Sequence, residues 1–324
     1  MIDPVILEQF GRLLDRASGQ SREAYDPAFY GRMEESGFLD LLVTEEDGGA
    51  NIALRDAFPL AISLGRRFSA DPILETMVAR RLLGAACPRD GFVSLGSARL
   101  AQGEIRISAL PDTAACHVVV GLGERVVTLP LGTAESTVAK MRWTPAEAQQ
   151  ALPAGGDRVA PIALTILAAR MAGAMQAVLA TTLDHVKVRR QFGRALSAFQ
   201  AVQQQIALLT EEAAAAHVAA AAAMDLGEAV SPVAAAAAKL RASEASVTVT
   251  GIAHALHGAI GVSWEHALPH MTQTLREWRA AFGAESAMAD RVGRALMASG
   301  DSLSHFAQAV FQPAEPETDA LPLR

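Results

Sequence analysis

Five consecutive residues, Arg189-Arg190-Gln191-Phe192-Gly193, carry the densest chemistry in the chain. Two neighbouring guanidinium groups can grip a diphosphate through forked, charged hydrogen bonds, while Phe192 offers an apolar surface to a ring or ribose. The same residues can equally form a solvated basic corner that favours a helix C-terminus. Gln200, Gln203, Gln204 and Gln205 follow, at spacings that line a polar groove or simply cover a surface.

Other chemistry is sparser. His254 and His257 stand three apart, His266 and His270 four apart, and neither pair has a third ligand at metal spacing. The run HGAIG at 257–261 lacks the G-x-G-x-x-G spacing and follows a helical pattern, so it reads as a tight passage rather than a nucleotide fingerprint. No G-x-S-x-G and no assignable triad order is present. Glu277 and Glu285 are acid–base candidates only through their place beside Trp278 and Phe282. Cys87 and Cys116 make neither a metal spacing nor a disulfide framework.

These residues need elements to position them. The basic corner joins two long apolar helices in the stretch 162–209. Ahead of it, periodicity predicts helices over 1–17, 26–36 (ending at Ser36-Gly37) and 72–86, with Asn51 placed to cap a helix. From 91 the texture changes to short β-branched runs split by turn residues, predicting four to six strands over 91–150. ALPAGGDR at 151–158 reads as a linker. Helices over 160–188, 196–225, 232–254 and 266–298, the last with interruptions, predict an antiparallel four-helix bundle over 151–310. The stretch 311–324, rich in proline and acid, reads as a flexible tail.

The 324 residues suffice for a substantial core split over two or three regions, and the net charge of -7 argues against nucleic acid or an anionic membrane as the main partner. No membrane-spanning helix, which needs roughly 20 apolar residues, is expected. A soluble cytoplasmic protein is the expectation.

The run RRQFGRALSAFQAVQQQIA resembles the acyl-CoA dehydrogenases, whose corner pattern is R-x-x-F-G followed by F/H-Q, here Arg189, Phe192, Gly193 and Phe199-Gln200. LLVTEEDGG (41–49) resembles the family's v-P-E-x-x-G-G segment, ISLGRRFSADP its e-e-L-G helix, and HGAIGVSWE (257–265) its G-G-x-G-x-x-x-E segment. The resemblance implies an α+β fold: an N-terminal helical domain (1–90), a reduced middle β domain (91–150) and a C-terminal four-helix bundle (151–310). It also implies FAD, shared across a subunit interface. Arg189, Phe192, Phe199 and Gln200 would meet the adenosine diphosphate end, and Gly258 would allow close backbone approach. Ala255 stands where the family has a glutamine.

The departures from the family are catalytic. Its proton-abstracting glutamate lies in a Y-E-G-T segment, here WRAAFGAESA, so Phe282 or Gly283 holds the position. Glu285 comes three residues late, about 4.5 Å along a helix axis. The alternative site used by a smaller group of the family is matched by Ala163, and the T-E-P-x-x-G-S-D segment has no counterpart. The resemblance therefore implies a non-catalytic subunit of a heteromeric acyl-CoA dehydrogenase. Its partner would be a full-length catalytic homologue, its substrate a CoA thioester with a bulky or sterol side-chain acyl group, and its electron acceptor an electron-transfer flavoprotein. Two other readings stay open: a self-sufficient homo-oligomer with Glu285 as relocated base, and a flavin-free structural homologue.

Overall fold

The computed structural model describes residues 2–17, 25–101, 104–109, 115–131, 141–143, 150–152 and 155–312. Four helices come first: α1 (Pro4–Ala17), α2 (Pro27–Glu35), α3 (Phe58–Arg66) and α4 (Ile73–Leu83). Asp26 caps α2 by accepting from the Ala28 N–H, with Pro27 following it, and Gly37 ends the helix at φ 73°. Asn51 caps nothing. Its backbone sits at φ 50°, no side-chain cap is made at the next helical turn, and its amide oxygen accepts from Arg81 instead (3.2 Å). Arg80, fully buried, ties this layer together through Glu34, Asp40 and the Tyr30 hydroxyl.

Six strands make one sheet among the described residues: β1 (Phe92–Ala101), β2 (Glu104–Ala109), β3 (Ala115–Leu122), β4 (Arg125–Pro130), β5 (Met141–Trp143) and β6 (Gln150–Leu152), in the order β5-β2-β1-β3-β4-β6. Only β1 and β3 pair in parallel. Their register shifts at Phe92/Val93, and Thr76 of α4 both donates to and accepts from the Val93 backbone there, fastening the sheet to the first helices. Successive valines on β3 serve opposite faces. Val119 joins the main core with Phe92, Val93 and Leu95, while Val118 and Val120 join Ile107, Val127 and Leu129 in a second, smaller core.

The stretch read as a linker at 151–158 is different in fact. Its first residues belong to β6, and Gly156 already opens α5 (Gly156–Val188). Helix α5 is apolar on all sides because it is buried on nearly all sides, with Ile162 to Met175 continuously inside. Its backbone meets α3 closely: a methyl on Gly65 would lie 2.0 Å from the Arg170 carbonyl oxygen, and one on Gly173 2.3 Å from that of Ile62. Around α5 pack α6 (Gln200–Asp225) and α7 (Pro232–His257), seamed by alanines such as Ala216, Ala220, Ala238 and Ala242. The fourth long helix is broken into α8 (Ala267–Ala280) and α9 (Glu285–Ser299), and α10 (Leu303–Val310) follows. The break falls where Phe282 and Gly283 take φ 61° and 114°. Apart from Phe311 and Gln312, the tail lies outside the described residues.

One expectation is corrected by the helix lengths. By length and composition alone, α5, α6 and the stretch Pro232–Val262 are each long and apolar enough to cross a membrane. Internal packing covers 83% of the apolar window of α5, but only 28% and 39% of the other two. The apolar faces of α6 and α7, with Leu208, Val218 and Val247 exposed, are left without a cover among the described residues.

Candidate functional site

The basic corner is a small hairpin. Arg190–Gln191 (β7) and Arg194–Ala195 (β8) pair antiparallel, and Phe192 and Gly193 turn between them at φ 51° and 78°. Two positive φ values suit the tight right-twisted turn of a two-residue hairpin, where glycine or asparagine is usual and phenylalanine is strained. Phe192 is nevertheless held there with 89% of its surface exposed. Phe199 meets its ring edge-on (6.2 Å between centroids), and the Arg194 guanidinium lies over the Phe199 face at 3.9 Å.

Phe199 occupies the N-cap position of α6 and has no oxygen to cap it, leaving the positive end of a 26-residue helix open beside Gln200. Arg189, Arg190 and Gln200 are exposed, and among the described residues neither arginine is ion-paired. Gln203 turns back to the Ser197 carbonyl, while Gln204 and Gln205 face outward. Gly258, after α7, holds φ 63° with nothing within 4 Å of where a Cβ would stand. Guanidinium groups with no ion-pair partner among the described residues, an uncapped helix N-terminus and flanking aromatic rings fit a diphosphate joined to ring and ribose groups.

Beneath the corner, His185 stacks on His257 (4.2 Å), and His266 meets His257 edge-on (5.0 Å). His257 Nδ1 donates to the Ala253 carbonyl, so its buried Nε2 is left an acceptor with no partner among the described residues. Burial, first, and the neighbouring histidines keep the pKa of His185 and His257 below the ordinary 6.5. The stack is neutral at neutral pH. As the pH falls through 6.5 the unfolded chain takes up these protons first, so acid works against this end of the bundle. His254 bonds Thr272, His266 caps α8 through Leu268 N, and His270 reaches the Trp264 carbonyl. Among the described residues no three His, Cys, Asp or Glu side chains converge as a metal set.

Of the two residues matched to the family's base, Phe282 is buried in the main core and Gly283 follows it at φ 114°. Ala163 is buried as well, on α5. Glu285 begins α9 and is bound to Arg279. Burial works to raise its pKa, but the Arg279 hydrogen bond and charge prevail and hold it below the ordinary carboxylate value. A carboxylate so engaged is a weak proton acceptor. Glu277 is exposed and accepts from Gln273.

Lys239, unremarkable in the sequence, is fully buried and donates to Ser243 Oγ (2.9 Å) and to the Arg279 carbonyl (3.0 Å) at the end of α8. Burial, opposed by Glu285 and reinforced by Arg279, brings its pKa down from 10.5 to about 8. Between these values the unfolded chain holds the proton that the folded chain has lost, so stability attributable to this group rises as pH increases through that window. Relative to Lys239→Met, the wild-type protein is expected to gain about 2 kcal/mol between pH 7.5 and 9.5 in urea denaturation. Parallel behaviour of the two proteins would assign the titration elsewhere.

The model of the acyl-CoA dehydrogenase C-terminal domain matches residues 165–297, which contain both the corner and the glycine turn. Acyl-CoA dehydrogenase IpdE2 of Mycobacterium tuberculosis (strain ATCC 25618 / H37Rv) is 32% identical over 277 residues, covering 81% of this chain and 84% of that protein. Among solved structures, a chain of the Tcur3481-Tcur3483 steroid ACAD superposes with a TM-score of 0.71 at 24% identity, covering 91% of this chain and 98% of that one. The ChsE4-ChsE5 complex from Mycobacterium tuberculosis gives 0.71 at 19% identity, covering 93% and 99%. These two likenesses bear on the fold: N-terminal helices, a small mixed sheet and a C-terminal helical region. With a third of its residues identical to IpdE2 across four fifths of its length, the chain belongs to the acyl-CoA dehydrogenase family.

Proposed function

We propose that this chain is the non-catalytic subunit of a heteromeric FAD-dependent acyl-CoA dehydrogenase. One observation carries the reading: the corner is open and cationic, whereas the residues matched to a base, Phe282 or Gly283 and Ala163, bring no proton acceptor, and Phe282 and Ala163 are buried. Arg189 and Gln200, with Phe192 and Phe199 alongside and Gly258 near, would hold the adenosine diphosphate end of FAD. Bound there, FAD would supply the hydride acceptor for desaturation of a CoA thioester, with the proton taken by a full-length catalytic homologue. The apolar faces of α6 and α7, uncovered among the described residues, would serve as a subunit contact in a cytoplasmic assembly. Support for a two-protein assembly comes from the ChsE4-ChsE5 and Tcur3481-Tcur3483 likenesses, and for a bulky or sterol side-chain acyl group from the second, a steroid ACAD. Electrons would pass to an electron-transfer flavoprotein.

Co-expression with a catalytic homologue, followed by size exclusion and flavin absorbance on the pair and on this chain alone, tests the reading. Flavin confined to the pair is the expected result. Stoichiometric FAD on this chain by itself would replace the proposal with a homo-oligomeric enzyme and Glu285 as relocated base. A pair that forms without flavin would make the chain a structural homologue.

A further inference from the structure

Far from the corner in sequence, α1 and α3 enclose a groove of about 720 Å³, closed at one side by His217 of α6. Leu7, Phe58 and Ile62 form its apolar wall, and its size lies in the range of small-molecule sites, roughly 300–1,000 Å³. Three arginines border it, and their partners differ. Arg12 is neutralised by Glu8 (2.6 Å), and Arg67 by Asp15 (2.6 Å). Arg66 has no carboxylate within salt-bridge distance among the described residues. Its Nε and Nη2 both donate to the neutral Gln176 amide oxygen, at 3.0 and 2.7 Å.

That amide fixes more than the arginine. With its oxygen taken by Arg66, the Gln176 nitrogen must be the donor to His217 Nδ1, 3.0 Å away. A neutral imidazole that accepts at Nδ1 carries its proton on Nε2. The ring is neutral because burial, and then the Arg66 charge, lower its pKa below the ordinary 6.5. Phe58 packs against it edge-on, with centroids 5.1 Å apart, which limits its rotation. His217 therefore keeps an N–H donor on the groove beside Arg66, which has no carboxylate partner among the described residues. Two pre-set donors next to an apolar trough match a molecule with an oxyanion at one end and a hydrocarbon body at the other.

We propose that this groove binds a small amphipathic oxyanion, a carboxylate or phosphate ester with an apolar body, through Arg66 and His217. The site is separate from the cofactor corner and independent of the functional reading above. Isothermal titration of the full chain with dodecanoate, dodecyl phosphate and dodecanol, each below its micelle threshold, tests it.

Saturable 1:1 binding of one or both anions, at least tenfold tighter than dodecanol, is the expected result. Preference between the two anions tells a carboxylate ligand from a phosphate ester. Arg66→Gln should weaken the anions at least tenfold and leave dodecanol unchanged. Arg12→Gln, which removes a cation already paired with Glu8, should change binding less than twofold. Both arginines are exposed, so both variants should keep the wild-type melting temperature. Equal affinity for dodecanol, an unaffected Arg66→Gln variant, or no saturable binding of any probe would overturn the assignment.

Discussion

Arg189→Ala in the co-purified pair is expected to weaken FAD binding about 10- to 100-fold, the effect of losing charged hydrogen bonds worth about 1.5–3 kcal/mol. Arg189 follows the last turn of α5, where its N–H bonds the His185 carbonyl, and its side chain is exposed with no ion-pair partner among the described residues. Nothing in the chain's own packing would suffer from its truncation. Size exclusion should therefore still report the intact pair while flavin absorbance falls. Arg189→Lys should give an intermediate loss, since it restores the charge without the planar fork. Full flavin retention in Arg189→Ala would mean that the corner is merely a solvated basic surface.

Glu75→Ala is expected to cost about 3–5 kcal/mol of folding stability, measured by urea denaturation. Glu75 of α4 and Arg170 of α5 are 1% and 0% exposed and meet at 2.8 Å. Arg170 also bonds the Ser69 carbonyl and lies 4.8 Å from the centre of the Trp278 ring, which itself stacks on Phe68. Removing the carboxylate takes a buried counter-charge from Arg170 and leaves Asp71 and the Ser69 carbonyl beside the guanidinium, so the penalty is mostly desolvated charge rather than the worth of the bond. The double variant Glu75→Met/Arg170→Met should accordingly recover most of the loss. A Glu75→Ala loss under about 1 kcal/mol would show that the buried arginine is compensated by its other partners.

Much of the architecture was written locally. The stop at Ser36-Gly37, the β-branched runs after residue 91 and the periodic helices after 156 depend on neighbours within a few residues, so their signals survive in the bare chain. The corner residues were also legible as a group, because all of them fall within twelve positions of one another. Their geometry was not. A phenylalanine at positive φ on a hairpin tip runs against its local preference, and the flanking strands and helices hold it there. The break between α8 and α9 has the same origin: Phe282 turns back into the core that α5, α7 and α8 assemble.

By itself, then, the sequence determined the element types, the order of helices, sheet and bundle, and the grouping of the corner residues. Tertiary structure alone decided which groups meet. Glu75 finds Arg170 across 95 residues, Arg66 finds Gln176 across 110, and Gln176 finds His217 across 41. Lys239 reaches a carbonyl 40 positions on, and three helical segments bring His185, His257 and His266 together. Such pairings leave no periodic trace, because burial rather than spacing selects them. A charge enters the core only where a partner from another element is already waiting, and that partner is set by how the helices cross.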